Sequence, residues 1–311
     1  TQPQDIIERL EADNSRLAKE AILQEAHNEG LPEFFEGLTM ALDPLVTFGV
    51  KQVPESKVDG QGLKWDVFKT LALQLQNREL TGHDARDAIL LTRDIATQDQ
   101  WNYFYRRILI KDLRCGVSEK TVNKIAKNFP QYEIPVFTCA LAHDSANHEK
   151  KMIGKKQIEI KLDGVRVLCV IHDRHGKKIE MYSRNGKQFH NFDHIIEEIR
   201  AVVQEYPVPY PLVLDGEVMS ANFQDLMKQV HRKDNVQSND AVLHLFDTIP
   251  LGSFLNGGWD KPQSFRSAIT KAWVEEHKSV LKHVQALEWE EVDLDTTEGQ
   301  ERFVALNKAA V

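Results

Sequence analysis

The stretch Ile158-Glu159-Ile160-Lys161-Leu162-Asp163-Gly164-Val165-Arg166 constrains this chain more than any other. Two isoleucines alternate with Glu159 and Lys161. On a β-strand the isoleucines then face one way, and the acid and the lysine face the other. Asp163-Gly164 marks a turn, and the apolar run 165–171 reads as a second strand, so the pattern predicts a hairpin. Arg166 lies just past the turn. A nearby guanidinium disfavours the ammonium form of a lysine, and partial desolvation does the same, so more free amine is present at neutral pH. The setting predicts a nucleophilic lysine. The same residues also suit a surface hairpin with scattered charges.

A chain of 311 residues with 41% apolar and 28% charged residues has room for two domains and a sizeable core, and it belongs to the soluble globular class. No apolar run approaches the length of a membrane span and no signal peptide is evident, so a cytoplasmic protein without a membrane partner is expected. Cys115, Cys139 and Cys169 are odd in number and lack metal-ligand spacing, so reduced thiols are expected. The net charge of −8 weighs mildly against nucleic acid, although phosphate contacts need only one basic face.

Residues 1–129 read as helical throughout. Ile6, Ile7, Leu10, Leu17, Ile22 and Leu23 form one stripe. A helix is expected from Leu63 to Leu80, with Trp65, Phe68 and Leu75 inward. Thr81-Gly82 breaks it, and 85–95 resumes the period. An aromatic-rich helix is expected over 98–112. Ser118 suits the N-cap of a short helix that turns Val122, Ile125 and Phe129 inward. Basic residues collect here. Arg106, Arg107, Lys111, Arg114, Lys120, Lys124 and Lys127 stand against only Asp112 and Glu119, a local excess of five positive charges. Lys120, Lys124 and Lys127 share one helical face. They suit either a surface that follows the phosphates of duplex DNA or a solvated helix face.

Residues 130–156, with Pro130, Pro135 and a charged tail, read as a linker. The pattern beyond is α plus β. The segment 172–176 is a turn, and 179–184 a strand with Tyr182 and Arg184 on one face. A helix over 192–206 carries Ile195, Ile196, Ile199 and Val203 inward. The strand 212–219 puts Asp215 and Glu217 opposite Leu214 and Val218. A strand at 242–247, a helix at 265–278 and a last strand at 285–292 follow.

The spacing Lys161-x-Asp163-Gly164-x-Arg166 resembles the nucleotidyl-transfer motif shared by ATP-dependent DNA ligases, RNA ligases and mRNA capping enzymes. The segments 78–82 and 106–116 resemble the N-terminal helical DNA-binding domain of T-even bacteriophage DNA ligases, so the chain is similar to an ATP-dependent DNA ligase. The resemblance implies a multidomain α and α+β protein. A helical DNA-binding domain at 1–129 and the linker at 130–156 would precede an adenylation (nucleotidyltransferase) domain with antiparallel sheets at 157–311. It implies that Lys161 attacks the α-phosphate of ATP and carries AMP, that Glu159 reads the adenine amino group, and that Arg166 contacts the ribose or the nick. Ser183-Arg184-Asn185-Gly186 matches a motif whose arginine grips the 5′-phosphate of the nick. Leu214-Asp215-Gly216-Glu217 matches one whose glutamate binds ribose and helps with metal. Leu245-Phe246-Asp247 matches one whose aromatic stacks on adenine. ATP and Mg2+ are the cofactors implied, and a monomer acting on nicked duplex DNA in replication, repair and recombination is the form. Each residue type suits its role: a carboxylate accepts from amino and hydroxyl groups, a guanidinium fork suits phosphate, and Phe246 offers a flat apolar face.

The family's later motifs, a Glu-Gly followed by an apolar run and lysine, then a Lys-x-Lys strand and an OB-fold domain, have no match here. Glu298-Gly299 is followed by Gln300-Glu301-Arg302 and does not fit. The sequence therefore leads one to expect an incomplete adenylation domain with weak adenylylation and little sealing of its own. A non-catalytic nick-binding fragment and an RNA-joining nucleotidyltransferase are the alternatives.

Overall fold

In the computed structural model the described residues are 1–137, 151–159, 162–231 and 236–309. Ile160, Lys161, Cys139 and the middle of the linker lie outside them. The chain divides into two compact units, Thr1–Val136 and Phe137–Val311.

The first unit contains helices and turns. Its elements are α1 (Pro3–Ala12), α2 (Arg16–Asn28), α3 (Pro32–Leu42), α4 (Trp65–Gln76), α5 (Gly82–Ile95), α6 (Gln98–Gln100), a π-helical turn Trp101–Tyr105, α7 (Arg106–Leu109) and α8 (Glu119–Ala126), followed by a 3-10 turn Pro130–Tyr132. One core gathers Phe34, Phe35, Phe68, Trp101, Phe104 and Ile108. The aromatic run does more than fill this core, because its polar tips tie down the long loop between α3 and α4. Trp101 Nε1 donates to Pro54 O at 2.8 Å and Tyr105 Oη to Leu63 O at 2.8 Å, and Asn102 bridges Ser56. Ser118 caps α8, accepting from Thr121 N.

Two expectations need correction here, and one helix was not expected. Leu17 is 77% exposed. Residues 13–15 break the helix, so the phase of α1 does not carry into α2. The segment 32–42 forms a helix that the sequence reading did not assign. The run expected over 98–112 stops at Leu109, and beyond it Lys111 (φ 55°) and Arg114 (φ 52°) take left-handed backbone.

The second unit is built on a six-stranded sheet in the order β4-β3-β2-β5-β6-β7 and a separate pair, β1-β8. In chain order the elements are β1 (Lys155–Glu159), β2 (Val165–Ile171), β3 (Ile179–Tyr182), β4 (Gln188–Phe189), α9 (Asp193–Glu205), β5 (Leu212–Met219), α10 (Phe223–His231), β6 (Val242–Pro250), α11 (Leu251–Leu255), α12 (Gln263–Glu276), β7 (Val284–Ala286), β8 (Trp289–Asp293) and α13 (Thr297–Ala309). Neighbours are antiparallel except β6 and β7. The expected wholly antiparallel arrangement is corrected there, since a helical crossover returns the chain in parallel. The single strand expected at 285–292 is two, β7 and β8, and β8 leaves the large sheet to pair with β1.

The hairpin expected at 158–171 does not form. Lys155–Glu159 pairs with β8, while Val165–Ile171 lies between β3 and β5. Val165, Val167, Cys169 and Ile171 pack with Ile195, Ile199 and Val203 of α9. β2 is thus a central strand, and alternation in β1 could not say which strand would be its neighbour. Arg166 faces away from α9, on the side of the sheet that carries Asp215 and Glu217 of β5.

Candidate active site

The site is laid out by strand register. In β5, alternation sends Leu214 and Val218 into the core and Asp215 and Glu217 to the opposite face. Arg166 sits directly across from Glu217, and its guanidinium forks onto Asp215, with Nε–Oδ1 at 3.1 Å and Nη2–Oδ2 at 2.6 Å. Between β5 and β6 the register slips. Asp215 opposes Asp247, but Gly216 opposes Leu245, so Phe246 is an extra residue. The bulge lets adjacent residues share one face, bringing Phe246 and Asp247 together to the side of Arg166. The Arg166 guanidinium lies 5.5 Å from the centre of the Phe246 ring.

Four carboxylates converge on the low-dielectric side of this arrangement. Burial pushes Glu159 upward, and so does the charge of Asp215, while a hydrogen bond from Gln157 holds it down. Burial likewise raises Asp215, against the Arg166 fork. Asp247 is raised to about 7 by burial and by the charges of Asp215 and Glu159, although Arg266 stands 3.2 Å away. Glu217 is raised by burial and by Asp215 and Asp163, against the N–H of Gly164 and Arg166. Its Oε2 is buried with no hydrogen-bond partner among the described residues. Carboxylates outnumber guanidinium groups here, so the site favours ligands that bring donors or positive charge: an amino group, sugar hydroxyls or a cation.

A polar edge of α12 supports the acids. Gln157 Nε2 donates to Glu159 Oε1 at 2.7 Å and to Ser267 Oγ at 2.6 Å. Gln263 Nε2 donates to Ser267 Oγ at 3.1 Å and to Phe246 O at 3.3 Å, and Ser267 Oγ donates to the same carbonyl. Arg266 Nη2 donates to Gln263 Oε1 at 2.7 Å. Sequence reasoning missed Gln157, Asp247, Gln263, Arg266 and Ser267 as members of the site. The polar spacing 263-266-267-270 on one helix face was a signal for α12; nothing comparable marked the bulge.

The structure brings together Glu159, Arg166, Glu217 and Phe246. Lys161 lies outside the described residues. Arg184 is exposed in the turn between β3 and β4. The seven basic residues of the first unit separate. Lys120, Lys124 and Lys127 are exposed on one face of α8 and its C-cap, with Lys124 2.6 Å from Glu20. Arg114 is exposed beside Asp112. Arg106 donates to Val53 O, and Lys111 donates to Met40 O and Asp43 O. Arg107 is corrected from surface to interior. It is 8% exposed, paired with Glu11 at 2.8 Å and bonded to Leu113 O and Asn102 O. A charge tied up this way braces α1 against the loop after α7 and offers nothing to a phosphate.

Among the described residues no group of three or more His, Cys, Asp and Glu side chains is placed to hold a metal ion, and no helix is long and apolar enough to cross a membrane. Cys115 and Cys169 are buried free thiols.

Residues 139–300 match the ATP dependent DNA ligase domain family. The chain is 21% identical over 254 residues to a DNA ligase of Enterobacteria phage T4, covering 80% of this chain and 49% of that one. It is also 21% identical over 220 residues to a DNA ligase of Enterobacteria phage T6, covering 69% and 44%. It spans about half the length of these curated relatives. Among solved structures it is similar to one titled Pmar-Lig_Pre., at 65% identity and a TM-score of 0.58, covering 100% of this chain and 71% of that one.

Proposed function

The chain belongs to the ATP-dependent DNA ligase family, and from that premise we propose that it adenylylates itself on Lys161 and passes AMP to the 5′-phosphate of a nick in duplex DNA. The neutral amine of Lys161 attacks the α-phosphorus of ATP. A P–N bond forms, the bond to the bridging oxygen breaks, pyrophosphate leaves with the electron pair, and the amine releases a proton. An oxygen of the 5′-phosphate then displaces the lysine, which takes its proton back. The 3′-hydroxyl finally attacks that phosphate: the new P–O bond forms as the phosphoanhydride bond breaks, AMP leaves with the electron pair, and the hydroxyl proton is lost to solvent.

The site residues take roles that their chemistry suits. Glu159 accepts from the adenine amino group, and Phe246 offers its ring to the base. Arg166, already beside that ring, would contact the sugar or the nick end, and Arg184 would grip the 5′-phosphate. Glu217 takes a ribose hydroxyl. Its orphaned Oε2 also fits Mg2+, which needs only one or two protein carboxylates when phosphates complete its shell. Bound there, Mg2+ would neutralise phosphate charge in the displacement. Lys120, Lys124 and Lys127, with Arg114 at the edge, would follow the DNA backbone.

The observation that carries this reading is the convergence of Glu159, Arg166, Glu217 and Phe246 from four separate strands. Its test is the intact mass of the chain after incubation with ATP and Mg2+. A gain of one AMP, lost in Lys161→Ala, is expected. A wild-type chain that gains nothing at any ATP concentration refutes the reading.

A further inference from the structure

Adenine and guanine differ at the edge that Glu159 would meet. Adenine presents an amino group there and guanine a carbonyl oxygen. A carboxylate accepts hydrogen bonds and cannot donate, so it suits the amine and repels the carbonyl. A protonated carboxyl can donate and would tolerate both. Selectivity therefore depends on what holds Glu159 in its ionised, acceptor state, in a site where burial and Asp215 both work against it.

The restraint is Gln157. It is two residues before Glu159 on β1, so both side chains lie on one face of the strand. Its amide N–H group donates to Glu159 Oε1 at 2.7 Å, a bond that the ionised form accepts best. The same amide nitrogen donates to Ser267 Oγ at 2.6 Å, which fixes the amide in the orientation with nitrogen toward Glu159. Ser267 is held in turn by Gln263 Nε2 at 3.1 Å. Gln157 Oε1 is buried without a hydrogen-bond partner among the described residues. It is another acceptor in search of a donor, which an amino group supplies and a carbonyl does not.

We propose that Gln157, oriented by Ser267, is a positioning residue that fixes Glu159 as an acceptor and so selects adenine over guanine nucleotides. This rests on the reading of Glu159 as the residue that meets the base.

The test is calorimetric titration of the chain with the α,β-methylene analogues of ATP and GTP, which bind without transferring AMP, for wild type, Gln157→Met, Ser267→Ala and Ser267→Thr. Methionine keeps the volume and shape of glutamine and removes the donor. The ATP-over-GTP preference should fall about tenfold in Gln157→Met, the weight of one charge-assisted hydrogen bond. It should fall in Ser267→Ala and be retained in Ser267→Thr, which keeps the hydroxyl. A merely structural role would weaken both nucleotides by the same factor. An unchanged preference in Gln157→Met, or equal weakening of ATP and GTP, overturns the proposal and leaves the ligase reading standing. A wild-type chain that binds neither nucleotide overturns both. If Gln157→Met does not fold, the two Ser267 variants decide, and equal preferences in them overturn the proposal.

Discussion

Asp247 has a guanidinium 3.2 Å away, yet burial still pushes its carboxyl up to about 7. An arginine at that distance ordinarily holds an aspartate low. Here burial opposes it, and Asp215 and Glu159 add to the effect. The consequence for stability has a definite sign. The folded chain binds a proton on Asp247 more tightly than the unfolded one, so its contribution is full below the unfolded value of 3.8 and is lost as pH rises toward 7. Measured by denaturant unfolding, the wild type should lose stability relative to Asp247→Asn between pH 4 and pH 8, by on the order of 2 kcal/mol. A difference that stays constant across that range would show that Asp247 is ionised throughout. Arg107 makes the complementary point: a cation in a basic stretch of sequence can belong wholly to the interior.

At the scale of elements, the bulge in β6 is what makes the site. Without it, Phe246 and Asp247 would point to opposite faces. The slip is accommodated by Gly216 on β5. A Cβ there would lie 2.3 Å from His244 O and 3.1 Å from Leu243 Cδ1. The first of these is backbone and cannot move aside without disturbing the ladder. Gly216→Ala should therefore lower stability by about 2–4 kcal/mol. It should also weaken ATP binding beyond any general loss of fold, which tryptophan fluorescence at a temperature well below the melting point would read. A variant that melts like the wild type and binds ATP normally would mean that the bulge tolerates a side chain. The β1–β8 pair has a similar local function, because it holds Gln157 and Glu159 on a strand that the large sheet does not contain.

At the scale of the molecule, each unit encloses its own apolar core, so each has its own reason to be compact. Charge is divided unevenly too. The chain carries −8 overall, yet α8 and its cap expose Lys120, Lys124 and Lys127 on one side. If that face follows DNA phosphates, replacing all three by Gln should flatten the dependence of log Kd on log salt for a nicked duplex by about 2–3, at close to one counterion per contact. Lys124 already spends part of its charge on Glu20, so the lower figure is favoured. An unchanged slope, with the helical content of the chain intact, would leave α8 a solvated face.

Much of this protein is local in origin and was legible in the sequence. The period-2 pattern of 212–219 placed Asp215 and Glu217 opposite Leu214 and Val218, and the strand follows it. The 3.6-residue period of 193–205 put Ile195, Ile199 and Val203 inward, and Ser118 caps α8 as its position suggested. These depend on near neighbours along the chain, and side-chain alternation and capping report near neighbours directly. What tertiary structure alone decided is which strand lies beside which. It separated β1 from β2, where the Asp163-Gly164 turn suggested a hairpin, and it split 284–293 between two sheets. It buried Arg107 against Glu11, far off in sequence, and slipped the β5–β6 register to add Asp247 to the site. Pairing, register and the fate of a buried charge are settled by partners tens of residues away, and periodicity within a strand or a helix holds no record of them.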